Sequence, residues 1–267
     1  MWTGEQDLTG RTILLHAEQG LGDVIQFCRY VPMVAKRAAK VVVEVPPSVQ
    51  PLMRGGDAIE IVATGAPRGD FDLHCSLLSL PRAFKTETGS IPADVPYISV
   101  ANAALEKWRR RLPKSDVGRI GIVWAGNPKH KNDGNRSIDI SQMLTLTDRA
   151  PAEFFSLQKE LRAGDREALR MHPRVVHLGD EMETFADAAA IVSLLDLVIS
   201  VDTAVVHLAG ALGKPVWVML PFAPDWRWLL DRDDSPWYPS ARVFRQGRWG
   251  DWSGVIDRVG AELAGWC

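Results

Sequence analysis

Short apolar runs along the chain alternate with stretches in which apolar positions recur every three or four residues, the pattern of buried strands separated by amphipathic helices. Residues 11–16 read as a strand, followed by the loop Gln19-Gly20-Leu21-Gly22-Asp23 and a helical pattern through about Ala39. Residues 41–45, 59–63 and 71–74 supply three more strands. Residues 92–97 read as an extended connection and residues 101–112 as an amphipathic helix, and the polar, turn-rich stretch 113–118 marks a domain boundary. The pattern then restarts with a strand at 119–124 running into Ala125-Gly126-Asn127-Pro128. Strands at 154–157, 175–178, 197–201 and 216–220 follow, with helices near 142–149, 184–195 and 203–212. This alternation predicts two successive α/β units, each a parallel sheet covered on both faces. They are assigned to residues 1–113 and 114–250, and a last amphipathic helix within 251–267 is expected to pack back against the first unit.

A length of 267 residues exceeds the usual single-domain size, in keeping with two halves. With 46% hydrophobic and 24% charged residues, the chain can build a core without disulfide or metal staples. Cys28, Cys75 and Cys267 are odd in number, widely spaced and without a CxxC pair, so neither a disulfide framework nor a zinc site is indicated; reduced thiols in a cytoplasmic setting are expected. Residues 1–7 are polar and acidic, unlike a signal peptide. No apolar run approaches the roughly 20 residues that span a bilayer. A net charge of −2 without a long Lys/Arg run argues against nucleic acid as the main partner. The cations of residues 107–111, including Arg109, Arg110 and Arg111, read as a solvated helix face or a small anion patch.

In open parallel sheets, ligands bind beyond the carboxyl ends of the strands, where helix N-termini offer unpaired N–H groups and positive partial charge. Three loops fit that description. In the first, Gly20 and Gly22 allow close backbone approach, and Asp23 sits in the first helical turn, as a cap or as a carboxylate facing a ligand. In the second, Asp202 and Thr203 end a strand and start a helix, so that the Thr203 and Ala204 amides and the Thr203 hydroxyl can cradle a phosphate. His207 lies one turn on, as a ligand contact or as a hydrogen-bonded core histidine. The third, residues 126–138, carries Asn127, Lys129, His130, Lys131, Asn132 and Arg136, a polar cationic set suited to a diphosphate and its sugar or to open solvent.

Taken together these segments resemble the GT-B glycosyltransferases related to the bacterial heptosyltransferases. They are most similar to the glycosyltransferase-like domain that follows tetratricopeptide repeats in bacterial proteins. The resemblance is carried by His16-Ala17-Glu18-Gln19-Gly20-Leu21-Gly22-Asp23 with Gln26-Phe27-Cys28-Arg29-Tyr30, by Ser79-Leu80-Pro81 and by Trp124-Ala125-Gly126-Asn127-Pro128. Arg136-Ser137-Ile138, Ser156-Leu157-Gln158-Lys159, the stretch from Asp202 to Pro215 and Asp225-Trp226-Arg227-Trp228 complete it. It implies two Rossmann-like domains facing a cleft, an acceptor on the N-terminal side and a nucleotide-sugar donor on the C-terminal side. Asp23 matches the proposed general base, with Gln19, Gly20, Leu21 and Gly22 as the acceptor-side loop. The implied donor residues are Asn127, Lys129, Arg136, Gln158, Asp202, Thr203, Ala204, His207 and Arg227. Two departures stand out: only about ten residues precede the first strand, where the related chains carry repeats, and Ala204 occupies a place where heptosyltransferases favour glycine.

The activity expected is inverting sugar transfer from a nucleoside-diphosphate sugar to a glycan, a lipid-linked glycan or a protein, with no cofactor. The triplets Asp70-Phe71-Asp72 and Asp231-Arg232-Asp233 match the Asp-x-Asp pattern of metal-dependent transferases but arise readily by chance, and no metal is expected. Phe222, Trp226, Trp228, Trp237 and Tyr238 either stack on a ligand ring or plug the interdomain region, and packing is favoured. A binding module that retains the fold without turnover, or a nucleotide-sugar epimerase, would share these features.

Overall fold

The structure is a computed structural model, and residues 1–266 are described. The first unit opens with β1 (Thr12–His16), α1 (Leu21–Phe27) and α2 (Val31–Ala35), and continues through β2 (Lys40–Val45), β3 (Ile59–Ala63), β4 (Leu73–Ser76) and α3 (Leu80–Ala83). Its four strands are parallel in the order β3-β2-β1-β4. The helical run expected through Ala39 is broken, because Pro32 occupies the first turn of α2 and a 3₁₀ turn at Cys28–Tyr30 separates it from α1. The fourth strand starts two residues later than the sequence pattern placed it, since the Asp72 carboxylate is used to accept the Thr12 amide at 2.8 Å. No helix lies between β3 and β4, so one face of this sheet carries the small cluster Leu14, Val42 and Val62 rather than the helical layer expected.

After α4 (Asn102–Arg111) the second unit runs through β5 (Arg119–Val123), α5 (Asp133–Arg136), α6 (Ile140–Leu144), β6 (Glu153–Ser156), α7 (Asp165–Met171) and β7 (Val175–His177). It continues with α8 (Phe185–Leu194), β8 (Leu197–Val201), α9 (Ala204–Ala211), β9 (Val216–Leu220), β10 (Ala241–Arg245) and α10 (Trp252–Ala264). Its six parallel strands are ordered β10-β9-β8-β5-β6-β7, the doubly wound order with a switch point between β5 and β8. Successive residues of β9 alternate between two cores, with Val216, Val218 and Leu220 on one side and Trp217 and Met219 on the other. Burial on both faces explains why this strand reads as an unbroken apolar run.

The core on the near side of the second sheet is continuous with that of the first unit, so apolar contact crosses the domain junction. Helix α1 packs directly on α9 there. Arg29 is buried at the same junction without a carboxylate partner. It donates to the carbonyls of Gln26 (2.8 Å), Pro92 (3.0 Å) and Trp237 (2.6 Å) and to the Tyr97 hydroxyl (2.7 Å), and lies over the rings of Tyr97 and Tyr238. A buried guanidinium needs such full hydrogen bonding to be tolerated.

Two expectations about domain limits change. Helix α4, assigned to the first unit from sequence, packs on α8 of the second, with Lys107 Nζ and Trp108 Nε1 both donating to Asp187. The terminal helix α10 packs on α6 and β10 of the second unit, burying Val255, Val259 and Leu263, and does not return to the first. The α4 cations are largely paired, Arg109 with Glu106 and Arg111 with Glu181, which favours the solvated-face reading. Cys28 and Cys75 are free, buried thiols pushed up by burial to about 12 and about 11, and Cys267 lies outside the described residues. No described helix is long and apolar enough to cross a membrane.

Candidate active site in the interdomain cleft

The carboxyl ends of β1 and of β5 and β8 open onto one cleft of about 880 Å³. From the first unit it is lined by Glu18 to Asp23, and from the second by the loops after β5, β6, β8 and β9. Of the residues singled out in the sequence, Gln19, Gly20, Leu21, Gly22, Asp23, Asn127, Lys129, Arg136, Gln158, Asp202, Thr203, Ala204, His207 and Arg227 all line it. The two Asp-x-Asp triplets do not.

One end of the cleft is the start of α9. Thr203 is the N-cap, with Oγ1 accepting from the Val205 amide at 3.3 Å, and neither the Thr203 nor the Ala204 amide has a protein acceptor among the described residues. Free amides at the positive end of a helix favour a negatively charged ligand. Arg136 supplies a full charge beside them. It comes from α5, its Nη1 donates to the Asp202 carbonyl at 3.1 Å, and its guanidinium lies against the backbone of Gly126. A Cβ at position 126 would stand 2.4 Å from the Arg136 Nη2, so this glycine makes room for a cation instead of a ligand. Arg136 is steered from behind by Asp133, whose carboxylate is 3.5 Å from its Nε and also pairs with Arg162 and accepts from the Ser137 hydroxyl. Asp133 and Arg162 were not singled out in the sequence. The three-residue spacing of Asp133 and Arg136 on a helix was the available signal.

Several of the expected donor residues are engaged by the protein itself. Gln158 is buried, with Oε1 accepting from the Trp124 and Ala125 amides (3.2 and 3.0 Å) and Nε2 donating to the Ala125 and Glu160 carbonyls (3.0 and 3.1 Å). An amide side chain has two donors and an acceptor oxygen with two lone pairs, so Gln158 has nothing left to offer a donor sugar. His207 is buried, its Nδ1 2.9 Å from the Tyr238 hydroxyl and its ring stacked on Trp228 at 5.8 Å. Burial holds its pKa well below the usual 6.5, so the ring is neutral, and the core-histidine reading fits it. Gly22 is required by this ring, because a Cβ there would meet His207 Cδ2 at 2.7 Å; the close approach is between α1 and α9, not between backbone and ligand. Burial likewise pushes the Asp202 carboxyl up from its ordinary value. Asn127 Oδ1 accepts from the Lys129 amide at 2.9 Å and thereby fixes the turn that presents Lys129 to the cleft.

Across the cleft, Asp23 serves as the cap of α1 and also lines the cleft wall. Its Oδ2 accepts the Gly20 amide at 2.9 Å and caps α1, while its Oδ1 accepts from Arg227 Nη2 at 2.6 Å. Arg227 belongs to the opposite unit, on the 3₁₀ turn Trp226–Trp228 after β9. Both side chains of the pair are mostly buried. Of the aromatic residues in that segment, Trp228, Trp237 and Tyr238 are packed into the core, whereas Phe222 and Trp226 are exposed.

Comparison with known proteins bears on the fold. Residues 158–220 match the family model described as Glycosyltransferase family 9 (heptosyltransferase). Protein FlbA of Caulobacter vibrioides is 26% identical over 289 residues, covering 98% of this chain and 48% of FlbA, so the chain spans about half the length of that curated relative. Among solved structures, a glycosyl transferase family 9 protein from Veillonella parvula superposes with a TM-score of 0.64 at 11% identity, covering 91% of this chain and 88% of the other. The E. coli ADP-heptose lps heptosyltransferase II gives 0.62 at 14% identity, covering 94% and 98%. The E. coli heptosyltransferase WaaC with ADP-2-deoxy-2-fluoro heptose gives 0.58 at 12% identity, covering 94% and 99%. The chain thus has the two-sheet α/β fold of the GT-B glycosyltransferases, and its segment 158–220, from the end of β6 through β9, carries a glycosyltransferase family 9 (heptosyltransferase) match.

Proposed function

We propose that the protein is a metal-independent, inverting glycosyltransferase that moves a sugar from a nucleoside diphosphate to an acceptor hydroxyl. The observation that carries this reading is the facing of two unlike ends across one cleft: free amides and Arg136 at the start of α9, and the Asp23 carboxylate opposite. In the reaction, Asp23 takes the acceptor O–H proton as that oxygen forms a bond to the anomeric carbon from the face opposite the diphosphate. The anomeric C–O bond to the diphosphate breaks, its electron pair leaves with the phosphate oxygen, and the α9 terminus with Arg136 stabilises the charge that develops there. An ADP-linked sugar is the first donor to try, since structural neighbours hold ADP or an ADP-heptose analogue.

The ion pair between Asp23 and Arg227 favours a second reading, a binding module in which the base is permanently masked. Incubation with a panel of nucleotide sugars in chelator separates the two. Release of nucleoside diphosphate, reduced by about 10² to 10⁴ in Asp23→Asn, supports the transferase. Thermal stabilisation by a nucleotide sugar without any product supports the binding module, and inversion at C2 would identify an epimerase instead.

A further inference from the structure

Arg227 is shared by the two lobes and is incompletely satisfied in both. Its Nη2 donates to Asp23 Oδ1 at 2.6 Å, its guanidinium lies 5.4 Å from the centre of the Trp226 ring, and its buried Nε makes no hydrogen bond although Asp225 Oδ1 is 3.4 Å away. The segment that carries it is strained two residues later, where Leu229 has φ 52° and ψ −170°, and Asp231 follows with φ 55°. Left-handed backbone at a non-glycine residue is strained and clusters where a segment has work to do. Arg227 and Asp23 both line the cleft into which the α9 terminus and Arg136 open.

A guanidinium binds a diphosphate bidentately and with more charge than one carboxylate offers. While the pair stands, Asp23 Oδ1 is engaged by Arg227 Nη2 and Oδ2 by the Gly20 amide, so both carboxylate oxygens already have partners. We propose that Arg227 is a positioning residue that exchanges partners. It holds Asp23 while the cleft is empty, and an arriving diphosphate draws it away and frees the carboxylate to receive the acceptor proton. The exchange makes the base available only when the donor is in place, and so imposes donor-first order. The inference rests on the proposed donor site at α9.

Binding can be tested without knowing the acceptor. Calorimetric titration with ADP, and with inorganic pyrophosphate as the base-free control, is carried out on the wild type, Asp23→Asn, Arg227→Gln, Arg227→Lys and the Asp23→Asn/Arg227→Gln double variant, each checked by thermal melting. Asp23→Asn should tighten ADP about tenfold in the wild-type background, because Arg227 no longer has to be won from a carboxylate, and should change it less than about twofold in the Arg227→Gln background. Arg227→Gln should weaken ADP about tenfold or more, and Arg227→Lys should recover part of the loss, which a purely structural role would not give. Equal tightening in both backgrounds would mean simple charge repulsion and overturns the exchange while leaving the donor site standing. Failure of the wild type to bind either ligand overturns the exchange and the donor site together. If the Arg227→Gln proteins do not fold, Asp23→Asn and Arg227→Lys still decide: no tightening by Asp23→Asn overturns the exchange.

Discussion

Asp187 ties α4 to α8 and shows how much one side chain can contribute to the second unit. Burial alone would raise its pKa, but hydrogen bonds from Lys107, Trp108 and the Thr184 and Glu183 amides outweigh this and lower it to about 2, against an ordinary 3.8. A carboxyl depressed on folding stabilises the protein above its unfolded value, and that contribution is lost as pH falls through the folded one. Denaturant unfolding should therefore find Asp187→Asn less stable by about 1–2 kcal/mol at pH 7, with the gap closing between about pH 4 and pH 2. A gap that persists unchanged at pH 2 would assign the loss to packing. At this scale the placing of Asp23, Arg136, Thr203 and Ala204 along one cleft was legible, because strand-end carboxylates, cations and helix starts carry local signals. Gln158 and His207 were located in the cleft wall, but the sequence did not reveal that neighbouring backbone and Tyr238 already use their polar atoms.

Two glycines separate packing from function at the scale of elements. At Gly22 an added methyl meets a buried, stacked His207 ring that cannot yield, whereas at Gly126 it meets the guanidinium end of a long side chain. Gly22→Ala is therefore expected to lower stability by about 1–3 kcal/mol through overpacking of α1 on α9. Gly126→Ala should leave the melting temperature nearly unchanged and weaken nucleoside diphosphate binding by displacing Arg136. Parallel melting and titration of the two variants check this contrast, and equal destabilisation would refute it. The apolar strands were readable because burial on both faces makes them continuous runs. By contrast β10, with Arg242 and Arg245 among its five residues, gave no such run, and α7 is too polar to reveal its single buried apolar position, Leu169. The break between α1 and α2 was signalled by Pro32, but the 3₁₀ turn that aims Arg29 across the junction was not.

Considered whole, the molecule places two parallel sheets so that their ligand-binding ends share one cleft, and a continuous core with Arg29 at its junction holds them together. Sequence alternation conveyed the two sheets, since each half repeats the strand, loop and helix order. It did not convey how α4 and α10 are apportioned, because an amphipathic helix declares that it has a buried face without declaring which neighbour covers it. The central claim is that the α9 terminus and Arg136 form the seat of a donor diphosphate. The measurement that tests it most directly is a crystal structure of the protein soaked with ADP. Phosphate oxygens are expected within hydrogen-bond distance of the Thr203 and Ala204 amides and of the Arg136 guanidinium; ADP seated elsewhere, with that helix end empty, would contradict a donor seat at α9.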